Sequence, residues 1–113
     1  MGLIGKEMKK WPSDALWRVC DAPVERWASG ALYAPDPVCL LGHAIRSMPD
    51  LCFAYDRLGG NRVGVRFDWM VLRFGIPRVV RACKQRALRI LEQRGEIERT
   101  EPARVVAEIK TGT

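Results

Sequence analysis

Apolar residues recur at helical spacing through most of this chain, and the clearest run lies between Gly75 and Gly95. Val80, Cys83, Ala87 and Leu91 stand three or four residues apart with Val79 and Ile90 beside them, so one side of a helix is apolar. Pro77, with a fixed φ and no N–H to lose, suits the first turn, and Gly95 suits the residue just past the end. Upstream, Ser13 is placed to cap a helix that aligns Leu16, Val19, Cys20, Val24 and Trp27. Pro23 either kinks that helix or restarts it with Asp21 as the new cap. Asp36 and Pro37 predict a further start, with Val38, Leu41, Ala44 or Ile45 and Met48 as its buried stripe. Gly42 in the middle marks a place where another backbone packs closely. Asp50 opens a short helix with Leu51, Ala54, Tyr55 and Leu58 on its inner face, ended by Gly59, Gly60 and Asn61.

The pattern then changes twice. Residues 62–68 alternate polar and apolar, which predicts a short strand or an extended link, and Asp68 then caps a helix carrying Trp69 and Leu72 as far as Gly75. Beyond Gly95, residues 96–99 and 104–109 flank the turn-like stretch from Thr100 to Ala103, which reads as a β-hairpin, with a helix over 103–110 as the alternative. The expected fold is mainly α: a small single-domain helical bundle over 13–113, with a long basic amphipathic helix and a wing-like C-terminal hairpin. Residues 1–12 hold two early glycines with Lys6, Lys9 and Lys10, and read as a flexible N-terminal arm. Trp17 and Trp27 read as core anchors, because tryptophan buries much area in a chain of 113 residues.

Charge sharpens this picture. Residues 1–60 hold seven Lys and Arg against seven Asp and Glu, whereas 61–113 hold twelve against six, so the whole excess of +6 lies in the second half. Along the long helix, Arg78, Arg81, Arg86 and Arg89 take the side opposite the apolar one. Glu92 is the only carboxylate between Pro77 and Arg94. Helix surfaces usually alternate acids with bases, and a row this one-sided repels itself unless a polyanion or an acidic protein neutralises it. A plain solvated face is the competing reading.

The candidate chemistry is sparse. Cys39 and His43 are four apart and would share a helix face, a spacing that serves metal ligation or a nucleophile and base, with Cys52 as a third group. Structural zinc is normally marked by paired short spacings, and none occurs. His43 is the only histidine, and there is neither a glycine-rich phosphate loop nor a paired-carboxylate motif. The expectation is therefore no enzyme, no metal and no cofactor. Cys20, Cys39, Cys52 and Cys83 all sit in apolar surroundings and no signal-peptide or membrane-length stretch is present, so a reduced, cytoplasmic setting without a membrane partner is expected.

Two resemblances follow from particular residues. Trp27, Gly30, Ala31, Ala34, Cys39, Leu41, Gly42 and Ala44 resemble a small family of actinobacterial and phage proteins in which a Trp-x-x-Gly-Ala turn precedes a Cys-x-Leu-Gly helix. That resemblance implies a helical fold and a phage or mobile-element origin, and it carries no activity. His43 departs from it, standing where a small apolar residue is expected. Phe74 to Pro77 as a turn, with Ala87, Leu88, Leu91, Glu92 and Gly95 to Ile97 after it, resemble a winged helix-turn-helix. By that likeness Arg78, Arg81, Lys84 and Gln85 would approach bases and Arg99 and Arg104 would be contacts of the wing. The helix is about one turn longer than the usual recognition helix, and Lys84 falls where an apolar residue should plug the core.

The leading expectation is a small non-enzymatic protein that binds nucleic acid, DNA before RNA, through Arg78, Arg81, Lys84, Gln85, Arg86, Arg89, Arg99 and Arg104, alone or as a homodimer. The alternative is a phage-encoded inhibitor that docks the same residues on an acidic surface of a host nucleic-acid-processing complex. A structural subunit of a virion is a third class, which an exposed tryptophan would favour.

Overall fold

Helical period governs the observed architecture from the second residue onward. A computed structural model describes residues 2–30, 37–46 and 51–96, and every element within them is helical. In order these are α1 (Gly2–Met8), α2 (Ser13–Asp21), a 3-10 turn (Val24–Arg26), α3 (Leu40–Ile45), α4 (Leu51–Arg57), α5 (Gly60–Phe74) and α6 (Ile76–Gln93). Apart from Glu96, the expected hairpin over 96–109, with Arg99 and Arg104, lies outside the described residues, as do Asp36, Met48, Asp50 and the side chain of Cys52.

α6 is the longest element and its apolar stripe is fully used. Val79, Val80, Cys83, Ala87, Ile90 and Leu91 are buried, each a gain of about 1–3 kcal/mol over leaving such a side chain in water. α2 supplies the principal facing surface through Ala15, Leu16, Val19 and Cys20, and α1 and α5 close the remaining sides. Gly75 separates α5 from α6 at φ +86°, a conformation that L side chains rarely adopt. At the other end Glu96 N–H donates to Leu91 O and Gly95 N–H to Glu92 O, with Gly95 at φ +76°, which is a Schellman stop.

Several expectations are corrected. Residues 2–11 are not a loose arm: α1 buries Ile4 and Met8 completely, and Trp11 is 1% exposed with its indole N–H donating to Leu58 O at 3.0 Å. The Arg94 guanidinium ties this segment to the end of α6, donating to Lys9 O at 2.9 Å, Trp11 O at 2.8 Å and Ser13 Oγ at 3.0 Å. Ser13 consequently spends its hydroxyl on Glu96 rather than on a cap, and Pro12 occupies the N-cap position of α2.

Residues 62–68 are neither strand nor link but the middle of α5. Of the alternating apolar set, Val63 and Phe67 are buried and Val65 is 66% exposed, so the pattern that mattered was i, i+4, continued by Met70. Asp68 lies inside the helix, where its carboxylate accepts the Gly30 N–H at 2.9 Å instead of capping. Finally, α3 begins at Leu40 with Cys39 as N-cap, later than Pro37, because Val38 is held extended: Ala28 N–H donates to Val38 O and Val38 N–H to Arg26 O. α3 is buried on every side.

Candidate nucleic-acid interface

The helical register of α6 sorts its basic residues by environment. Arg78, Arg81, Gln85 and Arg89 are exposed on the side opposite the core. Among the described residues, no carboxylate lies within ion-pairing distance of Arg78, Arg81 or Arg89. Arg86 differs: it is half-buried against α1, so close that a Cβ added at Gly5 would lie 2.7 Å from Arg86 Nη2, and its Nε is shielded from water without a hydrogen-bond partner among the described residues.

Lys84 is a correction. It is 1% exposed, and its Nζ donates to Cys20 O at 2.7 Å, at the C-terminal end of α2. A helix leaves its last carbonyls without intrahelical donors and gathers negative charge there, so an ammonium group in this place satisfies both demands. The aliphatic stem fills the core position where the winged-helix pattern asks for an apolar residue, and the group is removed from any external ligand.

The structure also brings forward basic and aromatic residues on α5 that the expected site did not include. Arg62, Arg66 and Arg73 are exposed along this helix, and among the described residues Arg62 alone of the three has an ion-pair partner, Glu7 Oε1 at 3.6 Å. Arg73 Cζ sits 5.6 Å from the ring centroid of Trp69 and 5.7 Å from that of Phe74, a double cation–π contact. The signal was present as Arg62, Arg66, Trp69 and Arg73 at helical spacing, and the strand reading of 62–68 concealed it.

The Cys39 and His43 side chains are both buried. His43 is 3% exposed, its Nε2–H donates to Arg26 O at 2.8 Å, and its ring lies 4.7 Å from that of Trp27. Burial pushes the Cys39 thiol up against the opposing pull of the Gly42 and Leu41 amides, which keeps it protonated and weakly nucleophilic at neutral pH. Burial alone takes the Cys83 thiol up to about 12. Among the described residues no three His, Cys, Asp or Glu gather as metal ligands would, and no helix is long and apolar enough to cross a membrane.

Compared with known proteins, the chain matches no family model, no curated protein and no solved structure.

Proposed function

We propose that this protein binds nucleic acid without catalysis, through the exposed face of α6. The observation that carries the reading is the row Arg78, Arg81, Gln85 and Arg89, exposed and without a carboxylate partner among the described residues, on a helix whose other side is fixed in the core. Guanidinium groups held on a rigid rod suit phosphates, which they meet in bidentate fashion with little further loss of freedom. The junction of α5 and α6 at Gly75 supports a helix-turn-helix mode of presentation, and DNA is the first ligand to test. The resemblance of residues 27–45 to phage proteins supports a mobile-element setting.

The test is a binding titration against single-stranded and duplex oligonucleotides at several salt concentrations. Affinity falls steeply as salt rises, and Arg81→Ala with Arg89→Ala weakens binding while the far-ultraviolet circular dichroism stays that of the parent. Binding that ignores salt, or no binding to either DNA or RNA, overturns the reading. A second reading, an inhibitor docked on an acidic protein surface, draws support from Leu72, which is 87% exposed next to Arg73 in α5. A host partner that is retained after nuclease treatment and released by the same two substitutions would favour it.

A further inference from the structure

The outer face of α5 carries side chains that folding ordinarily removes from water. Val65, Trp69 and Leu72 follow one another at intervals of four and three along one side, 66%, 49% and 87% exposed, and Phe74 at the helix end is 47% exposed. The guanidinium of Arg73 lies over the rings of both Trp69 and Phe74. It orients both rings and occupies part of their surface, and about half of each side chain stays open to solvent.

Val65, Trp69 and Phe74 border a track that reaches the basic helix. An open concavity of about 500 Å³ beside Trp69 is lined by Leu3, Asn61, Arg62, Val65 and Arg66. The next, of about 370 Å³, shares Leu3, Arg66 and Trp69 with the first and adds Phe74 and Gly2. A third, of about 270 Å³, shares Gly2 with the second and is walled by Gln85, Arg86 and Arg89 of α6. The aromatic face of α5 and the arginine face of α6 are thus joined past the start of α1, and among the described residues no carboxylate lines any part of the way.

The occupant has to satisfy both features. A second copy of this chain, at +6, would set arginine against arginine. A nucleic-acid duplex offers phosphates but keeps its base faces stacked inside. A single strand offers phosphates and open base faces together, and bases stack on tryptophan and phenylalanine whatever their sequence. We infer that the track binds single-stranded nucleic acid, with bases stacked on Trp69 and Phe74 and phosphates held by Arg66 and by Arg89 at the α6 end, where the row continues to Arg81. This inference rests on the nucleic-acid reading above and specifies its ligand.

The experiment uses fluorescence anisotropy with four probes of about 16 nucleotides, the upper end of single-domain site sizes: a mixed-sequence single strand as DNA, the same as RNA, its duplex, and a strand of abasic spacers that keeps only the phosphates. The proteins are the parent chain, Trp69→Ala, Trp69→Phe and the Arg81→Ala/Arg89→Ala double variant, each verified as folded by circular dichroism. An intact single strand binds more tightly than the duplex or the abasic strand. Trp69→Ala weakens it about tenfold and leaves the abasic strand unchanged, and Trp69→Phe restores most of the loss. The ratio of the DNA and RNA arms tells which strand is preferred. Equal affinity for abasic and intact strands, a preference for duplex, or a silent Trp69→Ala overturns the inference, while continued sensitivity to the double arginine variant leaves the basic-face reading standing. Absence of binding to all four probes removes both.

Discussion

Lys84 shows how one residue's role depends on where the backbone puts it. In the sequence it belongs to a run of bases; in the fold it is a core residue whose ammonium group closes the carboxyl end of α2 through Cys20 O. Lys84→Ala removes a buried stem and a charge-assisted hydrogen bond together, so it should cost at least about 2 kcal/mol of stability in urea unfolding. Salt-dependent binding per folded molecule should be unchanged. Cys83 gives a pH test. Burial pushes its thiol from an ordinary value of 9.0 up to about 12 in the fold. Between those values the unfolded state releases a proton that the native state keeps, so stability falls as pH rises from 9 towards 12 and is unaffected below 9. Comparing parent and Cys83→Ala by urea midpoints at neutral and high pH isolates this contribution: the variant should show the shallower decline. The exposed arginines of α6 needed no such correction, since their positions follow from helical period alone.

At the scale of elements, α1 and α5 are the informative cases. α1 is seven residues long, and an isolated helix of that length is marginal in water. It exists because Ile4, Met8 and Trp11 fill the core and Arg94 fastens the loop after it. Trp11→Ala should therefore cost about 3–5 kcal/mol, read as a lowered thermal midpoint, whereas a free arm would tolerate the change. Gly75→Ala is expected to cost about 1–3 kcal/mol, because φ +86° between α5 and α6 must be relaxed or strained. Helix α6 could be read in outline from the sequence because both of its ends carry strong stop and start residues. The start of α1 has no such punctuation, and α5 has a polar–apolar alternation that coincides by chance with the strand period.

For the whole molecule, the decisive property is that its excess of positive charge lies in the second half of the chain, where two adjoining helices carry eight bases against two acids. If Arg81 and Arg89 each neutralise one phosphate, the slope of log affinity against log salt on a duplex should shrink by about 0.9 per arginine removed. A smaller change would mean that these side chains stay hydrated in the complex. The sequence by itself determined the helical class, the long amphipathic helix from Pro77 to Gly95 and the one-sidedness of its charge, because period, end residues and net charge are local properties of the chain. Only the tertiary structure decided that Lys84 is inside, that residues 2–11 belong to the core and that Trp69 and Phe74 stand in the open. Burial is set by what packs against a face, and here the packing partners lie dozens of residues away: Lys84 meets Cys20, Arg94 meets Lys9, and Trp11 meets Leu58.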